Sequence, residues 1–566
     1  MLSKDARPKD TIRHIRAILK KAGFNIEVCS WKHPVPHVWS VHVRVRGCSR
    51  IFANGKGLSR DLALASALGE FMERINTGYS WSDYSLFDVS LGQDFVFFPE
   101  ERWFCINGKR LPSTILNKEL RDFYDPAGEL SAYDLVYRVS AGLREGICAI
   151  PFTRVSDGKE IYFPLNLLDN LYASNGMASG NTPAEARVQA LSEILERYVK
   201  YKVIREGIAL PLIPERYYSC YPEVTDAIAA LKQRGFTVTL KDASLGGRYP
   251  VVNIVLGERN SKRCFLSFGA HPSFETALTR TLTELLQGQD LERFRGLQEP
   301  CSRLSEAAEH SNLEMHFIDS SGLVYKRCLN KKADFKFFYV DCRGTRKDEL
   351  EHLFSIFKKA RRDVYIADFP ESGFYACRVL VPGMSEVYSV DDLVFSNNNR
   401  GVEICRQILR LPAAGKKELE YFLRELDSEY IGDNQFIPYV SGIAFDKGSP
   451  WEEMCFGELR MLIQLALGRT QDAAKQLRWC FESGNLSPEV DQLYKCLAWV
   501  LDDKLPGRDI PRIFAAGIIS KAVQLARGRC VFIRLFDKRG RPRGMGAQRK
   551  ITASFLLARK MRERKL

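Results

Sequence analysis

The sequence predicts an α+β fold: a mixed α/β domain over residues 1–400 joined to an all-helical, TPR-like C-terminal domain. Three observations predict it. Strand-like stretches alternate with helical patterns in the first 400 residues. Beyond Trp451 the pattern is almost wholly helical. One helix pattern occurs three times at unequal spacing, which excludes a solenoid.

Val38–Arg46 alternates apolar and polar residues, as a half-buried strand does. Val251–Leu256 and Arg263–Phe268 read as two strands around a hairpin loop, Gly257-Glu-Arg-Asn-Ser-Lys262. Ser396-Asn-Asn-Asn-Arg-Gly401 is a loop signal where the character changes. We therefore expect a linker region over 401–450, a helical domain over 451–535 and a basic tail over 536–566. Within the helical domain, Gly457–Gly468, Thr470–Ser483 and Glu489–Leu501 read as successive helices. The roughly 34-residue TPR consensus is not repeated, so a packing or dimerisation domain is the simpler reading.

At 566 residues, 45% hydrophobic and 27% charged, the chain can bury a large core. No apolar run approaches the roughly 20 residues of a membrane span. The N-terminus carries no apolar signal core, so a cytoplasmic protein with no membrane partner is expected. The 15 cysteines are scattered, no two within four residues of each other. That excludes CxxC zinc and redox spacings and the CxxxCxxC pattern of radical enzymes. The eight histidines form no HExxH. Of the net charge of +14, Asp537–Leu566 carries +9, so the basicity is local.

The repeated pattern is Ala63–Arg74, Ala186–Arg197 and Ala277–Gly288. Four residues before each alanine stands an N-cap residue: Ser59, Thr182 and Ser273. Pro183 fits a first helical position, and Glu185 completes a capping box with Thr182. At about 100° per residue, one polar triple recurs on each helix at x, x+4 and x+7. The triples are Ser66, Glu70 and Glu73, then Gln189, Glu193 and Glu196, then Arg280, Glu284 and Gln287. Leucines and other apolar residues oppose them. A single such face is an ordinary wet side, and Glu70 with Arg74 is an ordinary surface pair. Three copies argue for one site assembled from three helices.

Glu70, Glu73, Glu185, Glu193, Glu196 and Glu284 brought together need cations, and hard carboxylate oxygens suit Mg²⁺. Mg²⁺ shares its coordination with phosphates, which Arg74, Arg197 and Arg280 would hold with forked hydrogen bonds. Capped helix N-termini add backbone N–H groups for anions. The pattern therefore reads as a magnesium–nucleotide site. GxxxxGK[ST] is absent, and Gly55-Lys-Gly57 and Gly246-Gly247 read as turns.

These residues resemble the motifs of the YcaO family, which is recognised by SxxxExxER, a second Glu-rich helix and a third helix. Here they read Ser66-Ala-Leu-Gly-Glu-Phe-Met-Glu-Arg74, Ser179–Arg197 and Arg280-Thr-Leu-Thr-Glu-Leu-Leu-Gln287. The likeness extends to Pro34–His42, Asn170–Met177, Phe317–Leu323 and Pro382–Ser385. It spans nearly the whole chain and is weakest after about residue 500. The resemblance implies an ATP-binding α/β domain, a helical C-terminal domain and a homodimer. It implies that Ser66, Arg74, Asn181, Gln189, Arg197 and Arg280 contact ATP. It implies that Glu70, Glu73, Glu185, Glu193, Glu196 and Glu284 hold Mg²⁺. Lys4 and Thr11 stand where the family's N-terminal segment touches ATP. No catalytic residue is assigned.

The implied chemistry is ATP-dependent activation of a peptide amide or acyl oxygen. Azoline-forming members often end in a proline-rich tail; this chain ends Lys560-Met-Arg-Glu-Arg-Lys-Leu566, so ring formation is not expected. Members also carry a basic residue where this chain has Gln289. Stand-alone members are linked to β-methylthiolation of a small-subunit ribosomal protein, as accessories to a radical methylthiotransferase. The absent cluster cysteines fit an accessory role. The alternative is a non-catalytic ATP-binding scaffold bridging that transferase and the ribosome. A third reading has Arg539–Arg543 and Arg559–Lys565 docking on ribosome or RNA phosphates, against a merely solubilising end. Ile551–Met561 is weakly amphipathic and reads as a surface helix.

Overall fold

The computed structural model describes residues 4–87, 94–140, 143–483, 486–502 and 510–563. The chain opens with α1 (Pro8–Ala22), which carries a proline in its first turn and stops at Gly23, φ 91°. An antiparallel meander follows: β1 (Ile26–Val35), β2 (Val38–Val45) and β3 (Cys48–Gly57). From it α2 (Arg60–Asn76) folds back onto β3. Gly55 makes that approach feasible, because a Cβ there would lie 2.1 Å from the Ala63 carbonyl oxygen. The Gly55-Lys-Gly57 stretch expected as a turn is thus the end of a strand laid against a helix.

A second sheet is built from β4 (Arg102–Phe104), β5 (Ile147–Arg154), β6 (Glu160–Pro164), β7 (Met177–Gly180), β11 (Tyr365–Phe369) and β12 (Tyr375–Leu380). Its order is β4-β5-β11-β12-β7, with β6 also on β5. The long α3 (Pro183–Glu206) leaves β7 and packs on this sheet. The third sheet has the order β10-β9-β8, from β8 (Phe236–Asp242), β9 (Val251–Glu258) and β10 (Cys264–Ala270). Gly257 pairs with Cys264 in the antiparallel β9–β10 ladder, as the expected hairpin requires. Next, α4 (Phe274–Leu286) leaves β10 and packs on it. Each copy of the repeated pattern is therefore a helix launched directly from a strand. Later in this domain, α5 (Arg346–Lys359) packs beside α3.

The stretch 401–450, expected as a linker, is largely helical, with α6 (Arg400–Arg410) and α7 (Lys416–Ser428). Ile404, Ile408, Leu419 and Phe422 repeat every three or four residues and enter one core with Trp451, Leu462 and Leu497. That core also holds α8 (Phe456–Ala466), α9 (Thr470–Ser483), α10 (Pro488–Leu501) and α11 (Ala516–Ala526).

The basic end is not an appendage either. Helix α12 (Gly546–Glu563) returns to the N-terminal domain and buries Ile551, Phe555, Ala558 and Met561 in its core. The Trp81 indole N–H donates to Ser554 Oγ at 3.1 Å. Arg562, also buried, donates to the carbonyls of Phe97, Ile75 and Asn76 and so closes the C-terminal end of α2. The weak amphipathic stripe is a core face, and the charges around it hid that. No helix among the described residues is long and apolar enough to cross a membrane.

Candidate ATP and magnesium site

The three caps form as their residue types demand. Ser59 accepts from the Leu62 N–H at 3.2 Å, Thr182 from Glu185 at 3.2 Å and Ser273 from Thr276 at 3.4 Å. Glu185, however, closes no capping box. Its carboxylate, only 3% exposed, instead accepts from the Asp5 N–H at 3.0 Å and from Asn181 Nδ2 at 3.0 Å, and pairs with Lys4 Nζ at 3.1 Å. Asn181 Oδ1 accepts from Thr11 Oγ1 at 2.9 Å. The N-terminal segment is thereby tied to the start of α3.

The triples face one cavity of about 1710 Å³. Lys4, Thr11, Ser66, Glu70, Glu73, Arg74, Asn181, Glu185, Gln189, Glu193, Glu196, Arg197, Arg280 and Glu284 all line it. The arrangement is strongly ionic. Arg74 meets Glu70 at 2.5 Å, Arg197 meets Glu193 at 2.8 Å and stacks 4.2 Å above the Phe317 ring. Arg280 donates to the Ala270 carbonyl at 3.2 Å. Burial pushes the carboxyls of Glu70 and Glu196 up, against the pull of Arg74 and Lys56 on the first and of Arg280 and Lys56 on the second. Glu73 lies well above the ordinary carboxylate range, through burial first and then repulsion from Glu193 and Glu70. Among the described residues, no three carboxylate, imidazole or thiol groups converge closely enough to form a ready metal cage. The donor set nonetheless fits Mg²⁺: carboxylate oxygens from all three helices line the cavity, with room for a polyphosphate to complete the coordination and with lysine and arginine side chains beside them to meet its phosphates.

Four side chains that the sequence reading did not single out belong here. Lys56 reaches in from β3 and pairs with Glu284; burial lowers its ammonium to about 8, while Glu196, Glu70 and Glu193 oppose that. Lys200 lies one turn beyond Arg197 on α3, so the same polar face held the signal for it. It donates to Ser320 Oγ at 2.6 Å and to the His316 carbonyl, and burial lowers it to about 7. His271 follows β10 and accepts from the Ser273 N–H at 3.0 Å. Burial, then Arg280, Arg346 and Lys4, hold it neutral down to about 2. Arg346, at the start of α5, meets Asp5 at 3.3 Å. Gln289 is turned to the backbone of Arg295, whose N–H donates to Gln289 Oε1 at 3.1 Å.

An α+β scaffold that gathers carboxylates, guanidinium groups and capped helix N-termini around one cavity defines a protein for binding a metal–polyphosphate. Residues 54–385 match the family model described as YcaO cyclodehydratase, ATP- and Mg²⁺-binding, and residues 401–554 match the YcaO cyclodehydratase C-terminal domain. The chain belongs to the YcaO family, and its cofactors are ATP and Mg²⁺. It is 41% identical over 542 residues to the ribosomal protein S12 methylthiotransferase accessory factor YcaO of Escherichia coli, covering 94% of this chain and 92% of that protein. An uncharacterized protein of Haemophilus influenzae is 43% identical over 507 residues, covering 89% of this chain and 86% of the relative. Among solved structures, YcaO from Methanopyrus kandleri bound with AMPPCP and Mg²⁺ is 20% identical, with a TM-score of 0.42 over 70% of this chain and 94% of that one.

Proposed function

We propose that this chain binds Mg²⁺–ATP in the three-helix cavity and uses it to activate a peptide amide or acyl oxygen, assisting β-methylthiolation of a small-subunit ribosomal protein. The observation that carries the reading is the convergence of three strand-launched helices whose polar triples reach one cavity, the third completed by Gln287 just past the end of α4. Arg74, Arg197 and Arg280, with Lys4, supply charge for the phosphates. Ser66, Asn181, Gln189 and Thr11 supply uncharged hydrogen-bonding groups, and the six glutamates supply oxygen for Mg²⁺. The substrate oxygen attacks the terminal phosphorus and ADP leaves. A nucleophile then adds to the activated carbon, and phosphate departs with the original oxygen. The protein contributes position and charge neutralisation to these steps.

The likeness to the Escherichia coli factor supports an accessory role beside a ribosomal-protein methylthiotransferase; a radical transferase as the partner, a cytoplasmic location and a homodimer are further parts of this proposal. Exposed Lys538, Arg539 and Arg541 precede α12 and are the basic groups best placed for a ribosome or RNA contact. Because α12 is part of the core, that contact is tested by substituting these three residues and not by deleting the end.

The deciding experiment is calorimetry of Mg²⁺–ATP on the wild type and on Glu193→Gln. Binding lost in the variant supports the site, and ATP turnover stimulated by the transferase or ribosomal protein then supports activation. Binding without turnover under those conditions favours the scaffold reading. No binding by the wild type refutes both.

A further inference from the structure

Four of the six site glutamates carry an ion-pair partner. Glu185 is engaged by Lys4 at 3.1 Å, Glu70 by Arg74 at 2.5 Å, Glu193 by Arg197 at 2.8 Å, and Glu284 by Lys56. Arg74 and Arg197 come from the motif helices themselves, and Lys4 comes from the N-terminal segment tied to the start of α3. Lys56 comes from neither. It comes from the end of β3, a strand held against α2 by Gly55, where any side chain would collide with the helix backbone. That contact delivers the ammonium across the sheet edge to Glu284 on α4, within the fields of Glu196, Glu70 and Glu193. One cation thus stands among carboxylates from all three motif helices. Its side chain is 27% exposed, toward the cavity, so it can leave them by a rotation.

We propose that Lys56 is the resident counter-ion of the carboxylate cluster, exchanged for a divalent cation when the nucleotide arrives. Resting on the Mg²⁺–ATP reading of the site, this assigns the lysine two partners in turn. Without nucleotide it neutralises Glu284 and its neighbours and keeps the helices from repelling one another. With nucleotide, the divalent cation takes over the carboxylates and the freed ammonium turns to the phosphates that enter beside it. The exchange makes metal and nucleotide binding cooperative, because Mg²⁺ alone must displace a tethered cation and gains no phosphate for it.

The two roles have opposite signs in one variant. Lys56→Met removes a positive charge that repels a bare divalent cation and also attracts the polyphosphate. We expect Mn²⁺ alone, titrated into nucleotide-free protein and followed by electron paramagnetic resonance, to bind Lys56→Met at least about tenfold tighter than wild type, the scale set by a unit charge a few ångströms away. We expect Mg²⁺–ATP, by calorimetry, to bind it at least about tenfold more weakly. Lys56→Arg, which keeps the charge, should track the wild type in both. Thermal melts of both variants check that each is folded. Mn²⁺ binding that is unchanged, weaker or undetectable in folded Lys56→Met overturns the proposal. A wild type that fails to bind Mg²⁺–ATP sinks the nucleotide reading instead, while the Mn²⁺ comparison still decides whether Lys56 is the counter-ion.

Discussion

Gly55→Ala is the sharpest probe of how the strand β3 is held against α2. The added methyl would lie 2.1 Å from the Ala63 carbonyl oxygen, 2.3 Å from the Ala67 nitrogen and 2.7 Å from the Ala67 Cβ. Ordinary carbon contacts sit near 3.5–4.0 Å, so strand and helix must separate by roughly an ångström or more. Two of the three obstacles are backbone atoms, which cannot rotate away. Overpacking commonly costs about 1–3 kcal/mol, and rigid neighbours place this case at or above about 3 kcal/mol. The separation also draws Lys56 away from Glu284 and shifts the polar face of α2 relative to α4. Gly69→Ala on the same helix is the control. Its Cβ would meet only Ser179 Oγ at 3.4 Å, so the gain in helix propensity of up to about 1 kcal/mol should be largely kept. Urea unfolding gives the stability and calorimetry gives the Mg²⁺–ATP affinity. Gly55→Ala within about 1 kcal/mol of wild type, with unchanged affinity, refutes the claim that this glycine sets the strand–helix distance.

Three further expectations follow from the same geometry. His271 is held neutral to about pH 2 in the folded state but has an ordinary value of 6.5 when unfolded, so the unfolded chain binds the extra proton between those values. Its contribution is complete above about pH 6.5 and is lost as pH falls, at up to about 1.4 kcal/mol per pH unit, so His271→Gln should flatten the fall; parallel pH–stability curves would contradict this. Arg562→Met should cost about 3 kcal/mol, because three buried carbonyl contacts lose a charged donor while the desolvation of that charge is relieved. Its signature is faster hydrogen exchange in the last turn of α2, and unchanged exchange there would rule out the capping role. Trp451→Ala should cost about 3–5 kcal/mol in urea unfolding, since the ring is fully buried, stacks on Phe445 at 5.4 Å and donates to the Leu535 carbonyl at 2.8 Å.

Local chemistry made much of the site legible before any coordinates. Helical period, caps and first-turn proline depend on residues within one turn of one another, so Ser59, Thr182 and Ser273 and the three polar triples could be read along the chain. Their repetition then pointed to a shared site. The strand pair β9–β10 was legible for the same reason, because alternation and turn chemistry are local. What the linear chain does not contain is which charge meets which. Lys56 is more than 200 positions from Glu284, and the glycines beside it looked like turn residues because the helix that requires them small lies on the other side of a fold-back. Glu185 carried a capping-box pattern, yet its carboxylate went to Lys4 and Asp5, contacts available only after α1 had docked. The end of the chain shows the same limit. Its charge count is a sum over the segment and described a soluble tail, whereas the burial of Ile551, Phe555 and Arg562 depends on a groove built hundreds of residues earlier. Sequence by itself determined the elements, their polar faces and the kind of ligand those faces suit. Only the tertiary structure decided the pairing of charges, because electrostatic and packing energies depend on distance in space and not on separation along the chain.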